Sequence, residues 1–441
     1  MMWKRCVLVL LVVILCVPSL ALSSAPPERE YLILVYLCGT DLESKGGAAS
    51  TDLMEMVRAG LEEDGPVTVL VQAGGAKRWR GGLLESGESR RLLISNIPQA
   101  VGPSLGNLDM GVPSTLIDFI QFGLEEYPAK RVGLVLWDHG GGATGGVCYD
   151  ELSGNSLSAG QLYAALHRVF GERDQRLAFI GFDACLMSAF EIATHLSPFA
   201  DYMIASEELE PMNGWAYDLW LNELAKKPNM DPEELGRYIV DSYVESALAF
   251  DPNDYVTLSM TDLREMDGLI AAVERFGEEM SDVLVNGEFP VISRARAQMR
   301  AFGDYANASS DMVDIADVAW YCRDIAPDAS RALTRAAKNA VVYSRNSANI
   351  TSAAGLSILL PDKTKSRASR YLPKYDPLAL MPGYTGFVQG YLEQLLNNNT
   401  FTFTPAQVQT VALSSNPAEG DLLDWLSILF SGYASMPAAD W

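Results

Sequence analysis

RVGLVLWDHGGG (Arg131–Gly142) and LAFIGFDACLMS (Leu177–Ser188) decide the fold. Each opens with a short, continuously apolar run and breaks into a polar motif. Runs of this kind, bounded by glycines, are what strands buried on both faces of a parallel sheet look like. Between them SAGQLYAALHRVF (Ser158–Phe170) carries apolar residues at helical spacing. Strand, helix, strand is a βαβ unit with a right-handed crossover, so both strands end at the same sheet edge. That places His139 and Cys185 side by side on loops at the carboxyl edge, where open α/β sheets build their sites. A thiol beside an imidazole is a nucleophile beside its base.

Outward from this unit the pattern repeats. YLILVYL (Tyr31–Leu37) is the first core strand and runs into CGTDLE, and PVTVLVQ (Pro66–Gln72) is the second. Trp79–Ile94 reads as a hairpin turning near Ser86–Ser89. Helices are expected over Ala49–Leu61, Pro113–Tyr127 with Ser114 as a cap, Met187–Leu196, Tyr217–Ala225 and Pro232–Ala249. Tyr202–Ala205 and Tyr255–Met260 read as strands, and the chain then reads as helical to about Tyr343. Ala354–Leu360 is a late strand and Gly386–Leu396 a last helix. Alternating strands and helices mean an α/β fold with a mostly parallel central sheet flanked by helices. There is no internal repeat, and the simplest division is one enlarged domain over residues 30–396, with residues 397–441 as a polar tail.

The composition excludes some functions. A net charge of −23 repels phosphate and anionic lipid, which argues against nucleic acid and the membrane surface as partners. At the N-terminus Lys4 and Arg5 precede the apolar Cys6–Leu20, with small residues at Ser19–Ser23. This is the pattern of a secretory signal peptide over residues 1–23, and hence of a secreted or cell-envelope protein with no membrane association after cleavage; an uncleaved anchor is the other reading. Removing that segment leaves Cys38, Cys148, Cys185 and Cys322. They form no CxxC pair and no disulfide framework, although Cys148 and Cys322 are left open as paired or free. Cys38, inside an apolar strand, reads as a small buried hydrophobe.

Only three histidines are present. His167 and His195 lie on expected helices and read as packed or surface side chains. His139 ends a core strand and is followed by three glycines, which let backbone approach a ligand. Cys185 ends the second strand and is read as opening a helix, whose N-terminus would lower the thiol pKa. Two such ligands are too few for a metal. GPSLG (Gly102–Gly106) matches the esterase GxSxG, but it lacks the strand before and the helix after, and it precedes the HGGG segment instead of following it.

At this point the sequence resembles the clostripain family of cysteine peptidases, of the caspase-like clan. The resemblance rests on YLCGTDLE, VLWDHGGG, GFDACLMS, ASEELEPMNGW (Ala205–Trp215), DMVDIADVA (Asp311–Ala319) and AGLSILLP (Ala354–Pro361), in that order, over roughly Tyr31 to Leu360. It implies a caspase-like three-layer sandwich and a Cys–His dyad. His139 would be the general base and acid and Cys185 the nucleophile. Backbone N–H groups of Gly140 and Cys185 would hold the oxyanion, and no third orienting residue is expected. It further implies protein or peptide substrates cut after Arg or Lys, with Asp183, Asn213 and Ser206 in the substrate site. A monomeric chain is expected. No cofactor is expected; calcium enters only through the resemblance, and no ligands are assigned to it.

Two departures stand out. Where the family has Pro-Gly-Asp-Gly-Trp, this chain has Pro211-Met212-Asn213-Gly214-Trp215, so one of two S1 acids is neutral. Residues 140–167 contain neither Lys nor Arg, so self-cleavage after a basic residue is not expected in that part of the His139–Cys185 loop. The leading reading is a secreted cysteine endopeptidase. A catalytically weak or inactive binding or surface protein of the same fold is the alternative, and a transpeptidase using the same chemistry is a third.

Overall fold

The computed structural model describes residues 28–303, 310–361 and 381–397. The expected signal segment and the polar tail lie outside these residues, apart from Asn397. The centre is a nine-stranded sheet. Its strands in chain order are β1 (Arg29–Cys38), β2 (Val67–Gly74), β3 (Arg90–Ile94), β4 (Pro98–Ala100), β5 (Ala129–Trp137), β6 (Leu177–Asp183), β7 (Ala200–Ala205), β8 (Thr257–Asp262) and, on the far edge, Val341–Asn346. From that edge inward the order is Val341–Asn346, β8, β7, β6, β5, β1, β2, β3, β4. The five middle strands, β7 to β2, run parallel. Both edges are antiparallel.

The three layers follow from strand periodicity. Tyr31, Ile33, Val35 and Leu37 enter one apolar core, and Leu32, Leu34, Tyr36 and Cys38 enter the other. Alternate side chains of β1 thus serve opposite faces, which is why the run reads as continuously apolar. One core is closed by the helices Ala48–Arg58, Tyr217–Lys226 and Pro232–Phe250. The other is closed by Pro113–Glu126, Ala159–Phe170, Phe190–Leu196 and Met266–Val285. The crossover helix Ala159–Phe170 starts at a capping box, in which Ser158 accepts from the Gln161 N–H and Gln161 reaches back to the Ser158 N–H. Among the described residues no helix is long and apolar enough to cross a membrane.

Several expectations shift. Trp79–Ser89 is not a strand; the hairpin pairs β3 with β4 instead. Val112, not Ser114, is the cap residue of its helix, which opens on Pro113. The long helical stretch is interrupted by Met312–Asp314, which pairs with Ser357–Leu359 in a separate two-stranded sheet. The late strand therefore does not join the central sheet. The helix after Cys185 begins only at Phe190. Cys38, Cys148, Cys185 and Cys322 are all free and buried, so Cys148 and Cys322 do not pair.

Candidate active site

Three adjacent strands end at one edge, and each delivers one polar side chain there. Trp137 on β5 is level with Asp183 on β6, and the Asp138 N–H extends the pairing to the Asp183 carbonyl at 3.2 Å. His139 and Cys185 each stand two residues beyond that level. Their loops abut: a Cβ on Gly140 would fall 2.1 Å from the Cys185 carbonyl oxygen, so glycine is required there. The loop after Gly142 folds back through bridges from Gly140 to Val147 and from Val147 to Leu157.

On the other side of β5, β1 runs level with it, Leu37 beside Trp137. Thr40 takes a left-handed conformation at φ 44°, and Asp41 follows. Asp41 Oδ1 lies 2.7 Å from His139 Nε2, and its Oδ2 lies 3.0 Å from Lys45 Nζ. Burial alone would raise this carboxyl. The contacts with His139 and Lys45 more than offset it and hold Asp41 below the usual carboxylate range. Sequence reasoning expected no partner of this kind. The aspartate was in view within YLCGTDLE, but the lateral register that brings it to His139 is not.

Cys185 is 5% exposed. Its Sγ accepts the Glu210 N–H at 3.2 Å, and Leu186, Leu209 and Phe302 pack around it. Burial pushes the thiol far above its ordinary range, the Glu210 N–H works against this, and Glu210 and Glu208 add to it. The expected lowering by a helix N-terminus is therefore absent: four residues separate Cys185 from Phe190. In this conformation the thiol is protonated and covered by the loop of residues 206–213. That loop is held down by Leu186 N–H to the Glu208 carbonyl at 3.1 Å and Ser188 N–H to the Ser206 carbonyl at 2.8 Å. The Glu208 carboxylate takes Arg300 at 2.7 Å and the Gly303 N–H at 2.7 Å.

Asp183 is buried beside this loop and accepts from Tyr217 Oη at 2.9 Å and the Trp215 N–H at 3.3 Å. Burial pushes its pKa up to about 6, against these bonds and a contact with the Glu210 carboxyl. Two further buried acids stand close, and sequence reasoning had not singled them out. Asp52, on Ala48–Arg58, accepts from Trp137 Nε1 at 2.7 Å and is raised by burial and by Asp183. Glu210 is raised by burial and by Asp183, whose carboxyl it contacts. A Cβ on Gly214 (φ 53°) would lie 3.0 Å from Asp183 Oδ1 and 3.3 Å from Asp52 Oδ2. Asn213, next door, is half-buried with its Oδ1 unbonded.

Ser206 does not face this acidic group. Its hydroxyl donates to the Glu208 carbonyl at 2.9 Å and sits 2.9 Å from Thr257 Oγ1, so it props the loop from inside. His167 is exposed against Tyr163, and His195 is buried with Nδ1 at 2.7 Å from the Glu191 carbonyl; both belong to helices away from the edge. Cys38 packs as a buried hydrophobe, its thiol donating to the Tyr149 carbonyl at 3.2 Å.

A caspase-like α/β sandwich with a thiol and an imidazole on neighbouring parallel strands is the scaffold of a cysteine peptidase, and the comparisons agree. The clostripain family, peptidase family C11, matches residues 35–393, and the chain belongs to that family of cysteine peptidases. Clostripain of Hathewaya histolytica is 25% identical over 234 residues, 45% of this chain and 44% of the relative, so the match spans less than half of that relative's length. Among solved structures, an inactive zymogen C11 protease from Parabacteroides distasonis superposes with a TM-score of 0.62 at 20% identity, covering 81% of this chain and 99% of that one. A secreted C11 cysteine protease from Bacteroides thetaiotaomicron gives 0.61 at 16% identity, covering 81% and 100%. At these identities the likeness to the solved structures is one of fold.

Proposed function

We propose that this chain is a secreted cysteine endopeptidase, with Cys185 as the nucleophile and His139 as its acid and base. The observation that carries this is the abutment of the His139–Gly140 and Cys185 loops at the ends of β5 and β6. His139 takes the thiol proton, and the thiolate attacks the peptide carbonyl. The N–H groups of Gly140 and Cys185 bind the oxyanion, and the imidazolium protonates the leaving amine. Water then releases the acyl group from sulfur. The chemistry needs no cofactor. Secretion rests on the sequence of residues 1–23, and a protease of the same fold is described as secreted.

For the P1 side chain the buried acids favour a cation. Asn213 leaves Asp183 without the family's second acid, and Asp52 and Glu210 lie close enough to share that work. A guanidinium or ammonium brought among them would stabilise ionised carboxylates that burial otherwise disfavours. The covered, protonated thiol means the loop of residues 206–213 has to move before attack. A relative described as an inactive zymogen crystallised in the same fold, which fits a closed resting form. The same burial is what a non-catalytic binding protein would show, and activity separates the two. A positional P1 peptide library should give cleavage after Arg or Lys that is lost in Cys185→Ala. Cleavage after other residues would overturn the cation reading, and no cleavage under any condition would favour the binding protein.

A further inference from the structure

We propose that Asp41 is a third member of the site, a positioning residue whose carboxylate fixes the His139 ring through Nε2. The proposal rests on the dyad reading above and adds to it.

The placement is built, not incidental. β1, β5 and β6 are neighbours in the sheet, and their carboxyl ends deliver Asp41, His139 and Cys185 in the same lateral order. His139 is 5% exposed, so its ring orientation is set by protein contacts. The Nε2–Oδ1 separation of 2.7 Å is a charge-assisted hydrogen-bond length. Asp41 is itself held on two sides, by Lys45 at 3.0 Å on Oδ2 and by the Thr40 hydroxyl at 3.4 Å on Oδ1. A left-handed non-glycine residue, Thr40, is what turns the chain so that Asp41 meets the ring.

The chemistry follows from the charge. An imidazole that accepts the thiol proton becomes a cation, and a fixed carboxylate 2.7 Å away stabilises it. It also holds the ring in one tautomer, with the proton on Nε2. Other titratable groups surround the pair. Asp138 precedes His139 in the chain and is fully buried, raised well above the carboxylate range by that burial. Tyr149 lines the same glycine-rich hollow as His139, and Glu151 holds Ser44 of the turn after Asp41. Among the described residues around the ring, Asp41 is the ionised acid in direct contact with Nε2.

The test reads the ring itself, so it does not depend on finding a substrate. With three histidines in the chain, a His139→Ala spectrum assigns the His139 Cε1–H resonance in protein carrying labelled histidine. In Asp41→Asn, which preserves size, the His139 titration midpoint should fall by about one pH unit or more. In Lys45→Gln, which removes the cation on the far side and alters an exposed residue, it should rise by a few tenths. Where peptide cleavage is measurable, Asp41→Asn should lower kcat at least tenfold with KM within about threefold, and move the acidic limb of the profile to lower pH. A His139 midpoint that stays fixed in both variants would reduce Asp41 to an anchor for the turn and overturn the proposal. A shifted midpoint in a protein that cleaves nothing would keep Asp41 in its role toward the ring and count against the peptidase reading instead.

Discussion

The Glu210 N–H points at the Cys185 sulfur from 3.2 Å, so one backbone group both covers the thiol and offers it a donor. That donor favours the thiolate, yet burial and the Glu208 and Glu210 carboxyls favour the thiol and prevail. The Cys185 thiol is therefore held in its protonated form, beneath a loop tied at Glu208.

Alkylation should be slow as a consequence. At pH 7 iodoacetamide should label Cys185 at least about tenfold more slowly than a free, exposed thiol. Arg300→Ala removes the 2.7 Å ion pair that holds Glu208, and a net loss of about 1.5 kcal/mol of closure should speed labelling about tenfold. Mass spectrometry of the Cys185 peptide gives both rates. Fast labelling of the unaltered protein would mean that the covered state is not the one populated in solution.

The acids around Asp183 carry a second expectation, in pH. An isolated aspartate has a pKa near 3.8, and here it is pushed to about 6. The folded state then binds the proton more tightly than the unfolded chain. Its stabilising share is complete below about 3.8 and is lost as pH rises through 6, a loss of about 3 kcal/mol. Asp183→Asn cannot ionise and still accepts a bond from Tyr217. Its melting temperature should exceed that of the unaltered protein by a few degrees at pH 8 and match it near pH 4. Equal shifts at both pH values would show that Asp183 is not the group being titrated.

The strands that carry the site could be read because a strand buried on both faces must be apolar throughout, as β1, β5 and β6 are. Their loops could be read because parallel strands joined by one helix end at one edge. What could not be read depends on lateral packing. Nothing local in DLE says that Asp41 will lie beside a histidine 98 residues later, since this comes from β1 pairing with β5. Asp52 and Glu210 look like ordinary polar positions until Gly214 brings their segments onto Asp183. Met312–Asp314 and Ser357–Leu359 are three-residue strands, too short for either period to show. The misjudged thiol has a simple cause: residues 184–189 form a loop, so the helix start that would have lowered the pKa is displaced to Phe190.

Gly140 offers a purely steric prediction. A methyl group there would overlap the Cys185 carbonyl oxygen, a backbone atom that cannot rotate away. Gly140→Ala should cost about 1–3 kcal/mol of stability and force the two loops apart. A displacement of about 1 Å at the reacting atoms is enough for a hundredfold fall in kcat/KM. Denaturant unfolding and steady-state cleavage measure the two effects separately. Unchanged cleavage would show that the loops do not need to touch during turnover.

Asn213→Asp tests the acid that the family has and this chain lacks. The new carboxylate would sit beside Gly214, whose would-be Cβ already lies within 3.3 Å of both Asp183 and Asp52. Among buried carboxyls of like charge the added one is costly while the site is empty and favourable once a guanidinium enters. The variant should therefore melt at a lower temperature at pH 8, yet cleave after Arg with a kcat/KM raised about tenfold, mostly through KM. The gain should shrink below pH 6, where the neighbouring acids take up protons. A lower melting temperature with no gain in cleavage after Arg would place the P1 side chain elsewhere, and leave the three acids as a feature of the fold alone.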